Sequence, residues 1–200
     1  PYCVCPYGDS LKKESLGPSE MMMKEKYIFV YQDVRGRYMS EGEFLDVRPY
    51  DPKKSPKQID ESSDTYDTVD WLIKNIENNN GNVGIWGISY PGFYASMGAI
   101  DAHPAVKAVS PQAPVSNWFL GDDFHHNGAF FLSDAFNFYS FFGQPRPVPT
   151  PKHAQGFQMP TPDGYDFYLK AGPFKNLNKN YFKGKLEFWN DFMKHPNYEH

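Results

Sequence analysis

A glycine-rich turn between a predicted strand and a predicted helix constrains this chain most. Residues 82–86 read N-V-G-I-W, an apolar run typical of a buried strand, and residues 93–100 read F-Y-A-S-M-G-A-I, which favours a helix. The turn between them reads G-I-S-Y-P-G, so Ser89 lies two positions after one glycine and three before another. A serine in such a turn is held at a helix N-terminus with its hydroxyl raised into solvent, an arrangement called a nucleophile elbow.

The spacing of this turn leaves two interpretations open. A nucleophile elbow usually reads G-x-S-x-G, whereas here Pro91 occupies the usual place of the second glycine and Gly92 comes one residue later. An ordinary strand–turn–helix connection has the same local pattern. The rest of the chain therefore has to decide between a catalytic serine and a structural one.

Composition argues against several classes of function. The formal net charge is −4 and no basic stripe occurs, which argues against a nucleic-acid partner. No apolar run approaches the roughly 20 residues that span a membrane. Cys3 and Cys5 are the only cysteines, too few for a structural zinc site. The chain starts at Pro1 without an initiator methionine, so we expect an internal part of a longer protein, with any targeting signal upstream.

The order of the apolar segments predicts an α/β fold with a parallel sheet and crossover helices. A helix capped by Ser62 or Ser63 is expected before the turn, and a second helix is expected to run from it to about Asp101. The last strand is expected to stop before Ser110. Strands are predicted at three apolar runs, 27–32, 82–87 and 105–109.

The first of these predicted strands is continuously apolar, which is typical of a strand buried on both faces. A polar turn at 33–37 follows it, and the carboxyl ends of parallel strands are where ligand sites collect. The alternative is structural: Asp33 and Arg35 would pair with each other or cap neighbouring loops.

Residues 114–200 have a different character. Aromatic residues are concentrated after residue 117, spaced prolines follow at 145–162, and short amphipathic helices are predicted beyond them. We expect a second, mostly helical unit here. His125 and His126 are adjacent, and neighbouring residues on a strand or helix do not face one site, so we expect packing or rim roles rather than a metal pair.

Four ordered segments together resemble one family. Residues 32–44 read Q-D-V-R-G-R-Y-M-S-E-G-E-F and resemble the Q-D-x-R-G-x-x-x-S-x-G-x-F/Y segment of the CocE/NonD hydrolases. Residues 67–72 are similar to the family's helix before the elbow, and residues 121–124 to its G-D-D-W/F. Residues 82–92 are similar to its G-N-V-G-x-x-G-x-S-Y-x-G, which places the second glycine where this chain has it.

This family includes the X-Pro dipeptidyl-peptidases (S15), α-amino-acid ester hydrolases, cocaine esterase and glutaryl-7-aminocephalosporanic-acid acylases. The resemblance is strongest to the ester hydrolase and glutaryl acylase branch. It implies an α/β-hydrolase fold that is incomplete at both ends. Residues 1–113 would form the central part of the hydrolase domain, with an oxyanion loop, two strands, the elbow and a following strand. Residues 114–200 would form a helical, aromatic-rich cap.

The resemblance also implies roles for particular residues. Ser89 would be the acylated nucleophile, and the backbone N–H of Tyr90 would be one oxyanion donor. In the family the second donor is a tyrosine hydroxyl from a Pro-Tyr pair, for which Tyr2 is the candidate ahead of Tyr7; a buried tyrosine bonded to backbone is the alternative.

Two adjacent acids have a predicted role in the substrate site. Asp122 and Asp123 lie in an apolar aromatic stretch, where acids are costly to bury unless a cation pairs with them. In the ester-hydrolase branch an aspartate here helps to bind the α-ammonium group of the substrate, and Asp123 fits that position better than Asp122. A helix N-cap beside a solvated neighbour is the alternative.

A serine nucleophile needs a histidine base and an orienting carboxylate, which follow the serine in this fold. His103 lies too close in sequence to the elbow helix to return over it, and the resemblance implies that both partners lie downstream of the cap. We therefore expect this chain alone to be inactive. Two alternatives remain: a self-sufficient enzyme with His153 or His195 as base, and a non-catalytic α/β-hydrolase-like binding module.

The expected partners follow from the same resemblance. They are small acyl esters or amides or short peptides: α-amino acyl, glutaryl or X-Pro compounds. No cofactor, metal, membrane or nucleic acid is expected. The resemblance further implies a homo-oligomeric complete protein in the periplasm or outside the cell.

Overall fold

The computed structural model describes residues 16–17, 19–117, 120 and 123–195. The chain divides after Ser116 into two compact units. The first carries the predicted elbow, and the second carries the aromatic region.

The first unit is built on a parallel β–α–β arrangement. Strand β1 (Val83–Ile88) leads into helix α3 (Tyr90–Gly98), which returns the chain to strand β2 (Val106–Gln112). The two strands pair in parallel, with Ile88 opposite Gln112 at the end that carries the elbow. The predicted parallel sheet with a crossover helix is therefore confirmed.

Strand β2 continues three residues past its predicted end and includes Ser110 and Pro111. A proline lacks the N–H of a ladder hydrogen bond but is tolerated at a sheet edge. Among the described residues β2 pairs with β1 only.

Helices α1 (Glu20–Lys24) and α2 (Glu61–Asn75) precede β1. The cap of α2 differs from the prediction, because Asp60 rather than Ser62 or Ser63 is the N-cap. The Asp60 carboxylate accepts from the Ser63 N–H, and the Ser63 hydroxyl accepts from the Asp60 N–H, both at 2.9 Å. This is a capping box, in which each residue satisfies a donor of the other. The Ser62 hydroxyl instead donates to the carbonyl of Ile100 at 2.5 Å and ties α2 to the end of the α3 segment.

The predicted strand at 27–32 is wrong. These residues are irregular, and Tyr27, Ile28 and Val30 are 61%, 52% and 49% exposed rather than buried on both faces. A strand is stabilised by the backbone of a neighbour, whereas side chains hold this segment: the Gln32 amide donates to Thr68 on α2 at 3.0 Å. Apolar content alone predicted a strand without showing what would pair with it.

The polar turn at 33–37 is part of the scaffold. Arg35 forms a two-pronged ion pair with Asp64 on α2, at 2.7 and 2.6 Å, and this hydrogen-bonded carboxylate raises the pKa of the guanidinium. The two residues therefore have structural roles, as the alternative interpretation expected, but Arg35 pairs with Asp64 rather than with Asp33. Asp33 instead closes its own loop, since it accepts hydrogen bonds from the Met39 N–H and the Ser40 hydroxyl.

The second unit begins with a hairpin that sequence patterns did not predict. Strands β3 (His125–His126) and β4 (Ala129–Phe130) pair antiparallel around Asn127-Gly128, whose φ angles are 49° and 81°. An Asn-Gly pair at positive φ is the favoured two-residue hairpin turn.

The rest of this unit is helical. It comprises α4 (Leu132–Phe142), α5 (Gly164–Ala171), α6 (Phe174–Leu177), a π-helical turn (Asn178–Phe182) and α7 (Glu187–Lys194). Nowhere in the described part of the chain is a helix long and apolar enough to cross a membrane.

The aromatic residues of this unit form its core. Phe136 and Trp189 are fully buried, and the ring of Phe136 stacks on Phe182 at 4.7 Å between centroids. Trp189 meets both rings edge-on, at 6.0 and 5.1 Å. Such offset and edge-on contacts are the arrangements that aromatic quadrupoles favour.

The two adjacent histidines have different environments, as adjacent strand residues should. His125 is buried against Phe130 and Phe192, with centroid distances of 5.2 and 5.7 Å. His126 is exposed and stacks on Phe131 at 6.2 Å. The predicted packing and rim roles are confirmed.

One buried hydroxyl generates a prediction about stability. The Tyr168 Oη atom on α5 is buried and makes no hydrogen bond to the described residues. Burial, with a smaller effect of the Asp134 charge, raises the pKa of Tyr168 to about 12. Since the unfolded pKa is about 10, the unfolded chain releases this proton before the folded protein does, so the wild type loses stability as the pH rises from about 10 towards 12.

We expect Tyr168→Phe to raise the unfolding temperature of the complete protein slightly at neutral pH, because a buried hydroxyl without a partner costs about 1–3 kcal/mol. The difference from wild type should widen as the pH rises above 10. Tyr165→Phe is the matched control, since Tyr165 lies on the same helix and is 77% exposed. A lower unfolding temperature for Tyr168→Phe would contradict this account.

Candidate active site

Ser89 occupies a sharp turn at the junction of β1 and α3. Its φ and ψ are 90° and −111°, a conformation that L residues rarely adopt and that costs about 1–3 kcal/mol. The residue is exposed, and its hydroxyl is not used to cap the helix that follows. Ser89 is thus a strained, solvent-exposed serine whose side chain makes no capping hydrogen bond to the helix that follows it.

Backbone hydrogen bonds hold the strained residue. The Ser89 N–H donates to the Gln112 carbonyl of β2 at 2.9 Å. The Ser89 carbonyl accepts from the Phe93 N–H at 3.1 Å and from the Val115 N–H at 3.3 Å. The conformation is therefore fixed by both the neighbouring strand and the first turn of the helix.

Both glycines of the turn lie where another part of the backbone comes too close to leave room for a Cβ atom. A Cβ on Gly87 would lie 2.1 Å from the carbonyl oxygen of Pro91. A Cβ on Gly92 would lie 2.6 Å from the carbonyl oxygen of Gln112 and 3.0 Å from the Cα of Pro114. This explains the unusual spacing: α3 meets β2 at position 92, so the glycine is needed there, and Pro91 is accommodated in the first helical turn, where no N–H is required.

Tyr90 is the first residue of α3. The N–H groups of the first helical turn have no acceptor within the helix, and the helix dipole gives this end a partial positive charge. A backbone N–H in this position suits a developing oxyanion on an acyl group bonded to Ser89.

The Tyr90 side chain reaches in the other direction, into the interior of the first unit, where it is 3% exposed. Its hydroxyl donates to the carboxylate of Asp46 and accepts from the Val47 N–H at 2.9 Å. Burial is the main reason that the pKa of Tyr90 lies well above its ordinary value, with the neighbouring Tyr94 and Asp46 adding to it. Sequence reasoning missed Asp46 and Val47, since no local pattern signals a contact across more than forty residues.

Of the predicted site residues, the structure brings Ser89 and Tyr90 together at the elbow. Tyr2 and Asp122 lie outside the described residues. Asp123 is an exposed turn residue of the second unit, immediately before the β3 hairpin. The roles of Tyr2, Asp122 and Asp123 stay predictions.

His103 is engaged in the scaffold of the first unit. Its Nδ1 accepts from the Ala105 N–H at 3.1 Å, which leaves the proton on Nε2, 3.6 Å from the Asp70 carboxylate of α2. Its ring also meets Tyr66 edge-on at 4.8 Å. Both nitrogens are thus occupied, in agreement with the expectation that His103 does not serve Ser89.

The other candidate bases belong to the second unit. His153 stacks on Phe141 at 5.3 Å, and His195 is half-exposed and lies 3.6 Å from Asp191. Within the described ranges no group of three or more histidines and acids is placed to hold a metal ion.

Comparison with known proteins gives a consistent result. The sequence model of the X-Pro dipeptidyl-peptidase (S15) family matches residues 2–199. Cocaine esterase from Rhodococcus sp. (strain MB1 Bresler) is 28% identical over 107 residues, which make up 54% of this chain and 17% of that enzyme.

Two solved structures are similar to this one. An aminopeptidase from a marine sediment archaeon (Thaumarchaeota archaeon) is 35% identical, with a TM-score of 0.78. An α-amino acid ester hydrolase is 34% identical, also with a TM-score of 0.78. Each comparison covers 90% of this chain and 28% of the other, so the chain spans less than a third of their length. The predicted α/β-hydrolase fold is confirmed.

The close approach at Gly92 predicts the effect of a single methyl group. Gly92→Ala should destabilise the complete protein by roughly 1–3 kcal/mol, because the clash is with main-chain atoms of β2 that cannot rotate away. The measurement is denaturant unfolding followed by circular dichroism. Gly84→Ala is the control: its Cβ would meet its nearest atom at 3.9 Å, and alanine is the better strand residue. Equal stability of the two variants would contradict the explanation of the glycine spacing.

Proposed function

The chain belongs to the X-Pro dipeptidyl-peptidase (S15) family of hydrolases, and on that premise we propose that Ser89 is the nucleophile of a serine hydrolase. The proposed reaction is cleavage of ester or amide bonds through an acyl-enzyme. The proposal rests on the conformation and exposure of Ser89. This residue is exposed, has a φ of 90°, and has a hydroxyl that makes no capping hydrogen bond. Strain of this kind persists where the surrounding structure over-determines it, which is a feature of functional sites.

The proposed first step is attack of the Ser89 hydroxyl on the acyl carbon. A histidine base takes the hydroxyl proton and returns it to the leaving group, and a water molecule then hydrolyses the acyl-enzyme with help from the same base. The resemblance implies that this histidine and its carboxylate lie beyond the cap, so we propose that they come from outside residues 1–200. Under this proposal residues 1–200 alone are inactive.

The proposed oxyanion hole has two donors. The backbone N–H of Tyr90 is one, supported by its place at the first position of α3 beside Ser89. The Tyr2 hydroxyl is the other, supported by the resemblance of Pro1-Tyr2 to the Pro-Tyr pair of the family. Two fixed donors stabilise the oxygen when it becomes negative, and losing one such donor typically costs about 10²–10³ in rate.

The proposed substrates carry an α-amino acyl group. The support is the resemblance of residues 121–124 to the segment that supplies a carboxylate for the substrate's ammonium in the ester-hydrolase branch. Asp123 is the residue proposed for this contact, with Asp122 beside it. Glutaryl amides and X-Pro peptides are the other acyl classes that the family implies.

Labelling with a fluorophosphonate probe tests the nucleophile. We expect the complete protein to be labelled at Ser89 and the Ser89→Ala variant to lose labelling entirely, because the probe forms a covalent bond only with an activated serine. Ser96→Ala is the matched control, since Ser96 lies on the same helix and its hydroxyl donates to the Gly92 carbonyl at 3.1 Å. This control should be labelled as the wild type is.

The result also separates the rival hypotheses. A complete protein that does not label, or that labels equally well without Ser89, would support a non-catalytic binding module instead. Rapid p-nitrophenyl ester hydrolysis by residues 1–200 alone, abolished by His153→Ala or His195→Ala, would support the self-sufficient enzyme.

The proposed ammonium contact predicts a substrate-dependent effect of Asp123→Asn. Removing the charge should raise KM for an α-amino acyl ester at least tenfold and leave KM for the matching ester without the amino group nearly unchanged. A charge-assisted hydrogen bond contributes about 1.5–3 kcal/mol, which sets the size of this effect. Equal effects on both esters would argue that Asp123 does not contact the ammonium.

A further inference from the structure

We propose that the Tyr90 side chain, together with Asp46 and Val47, is a positioning device that fixes the backbone N–H beside Ser89 in its catalytic orientation. This inference rests on the proposed function and extends it to residues of the 46–47 segment. One residue, Tyr90, contributes its N–H to the elbow and anchors its side chain elsewhere in the first unit.

The ring of Tyr90 has little freedom to move. It is 3% exposed and lies among three other rings, with centroid distances of 6.4 Å to Phe44, 6.3 Å to Phe93 and 5.3 Å to Tyr94. Such close packing opposes rotation and displacement of the ring, and a ring held in place restrains the Cα from which the backbone N–H projects.

The hydroxyl at the tip of this ring is held from both sides. It donates its proton to the Asp46 carboxylate and accepts the Val47 N–H at 2.9 Å. A hydroxyl has one proton to donate, so the direction of both bonds is determined. Because burial raises the pKa of Tyr90 well above its ordinary value, this hydroxyl stays protonated through the working range of a hydrolase and cannot itself exchange protons with substrate.

The anchoring segment is in turn tied to the scaffold. Val47 has a φ of 42°, which is strained for a β-branched residue and persists only where neighbours impose it. The next residue, Arg48, forms a two-pronged ion pair with Glu61 at the start of α2, with distances of 3.1 and 3.2 Å. The 46–48 segment therefore links the tip of Tyr90 to α2, which contacts α3.

This arrangement has a specific consequence for catalysis. An oxyanion donor is effective only when its N–H points at the position that the charged oxygen will occupy, within a few tenths of an ångström. Ser89 stores backbone strain that would relax if its neighbour could shift. Tyr90 is held at its backbone by α3 and at its hydroxyl by Asp46 and Val47, and this opposes the relaxation. Loss of the hydroxyl contacts should therefore weaken transition-state stabilisation more than substrate binding.

The test is Tyr90→Phe in the complete protein, which keeps the ring and removes the hydroxyl together with its hydrogen bonds to Asp46 and Val47. We expect kcat to fall about tenfold while KM changes less than twofold, because the interaction acts in the transition state. Affinity for phenylboronic acid, whose serine adduct places an oxygen in the oxyanion hole, should fall with kcat. The pH profile of kcat/KM should keep its shape, since Tyr90 transfers no proton.

Matched variants separate positioning from a general loss of stability. Tyr50→Phe removes another tyrosine–aspartate hydrogen bond, the 2.5 Å bond to Asp101, at an exposed place away from the elbow, and should leave kcat unchanged. Asp46→Asn retains an oxygen that can accept from Tyr90 and should keep kcat within about threefold of wild type. Asp46→Ala removes the acceptor and should lower kcat in the same direction as Tyr90→Phe, since only the Val47 N–H then holds the hydroxyl. Unfolding temperatures of all four variants would show that each is folded at the assay temperature.

The outcomes distinguish this inference from the proposed function. If the wild type is labelled at Ser89 but Tyr90→Phe and Asp46→Ala retain full kcat and boronic acid affinity, the positioning role is overturned and the nucleophile remains. If the losses appear in KM alone, the side chain supports substrate binding and the inference is equally wrong. If the wild type is not labelled at all, both the positioning role of Tyr90 and the proposed role of Ser89 as nucleophile are overturned.

Discussion

The strained backbone of Ser89, with φ at 90°, is held in place by three neighbouring segments of the first unit. A positive φ at a non-glycine residue is held here by hydrogen bonds to Gln112, Phe93 and Val115, so the elbow exists only where β1, α3 and β2 meet. The glycine positions follow from the same meeting point, because each lies where another backbone approaches closely. The strain and its supports together place an exposed hydroxyl at the N-terminus of a helix.

Ion pairs between the loop at 33–60 and the start of α2 support the elbow from outside. The segment from 33 to 60 lacks regular structure, yet cations along it pair with acids in the first turns of α2: Arg35 with Asp64, Arg48 with Glu61, and Lys54 with Asp60. Each pair alone contributes modestly to stability. Together they fix an irregular loop against a helix, and the loop presents Asp46 and Val47 to the buried hydroxyl of Tyr90.

The local parts of this structure could be predicted from sequence, and the long-range parts could not. The turn at Ser89 and the β–α–β order around it follow from periodicity and from glycines at fixed offsets. The segment 27–32 has the composition of a buried strand but no pairing information, and it is irregular and exposed. The contacts of Asp46 and Val47 with Tyr90 join residues more than forty positions apart, which no local pattern reveals. The resemblance to the S15 hydrolases supplied the functional hypothesis for Ser89 that geometry alone would have left open.

Under the proposed mechanism Ser89 carries the acyl group during turnover. The most direct measurement is acid quenching of the complete protein during hydrolysis of a slow p-nitrophenyl ester, followed by tandem mass spectrometry of the peptide that contains the elbow. We expect an acyl adduct on Ser89 that appears with the first product and disappears when substrate is exhausted. Turnover with an unmodified Ser89 peptide, or with the acyl group on another residue, would contradict it.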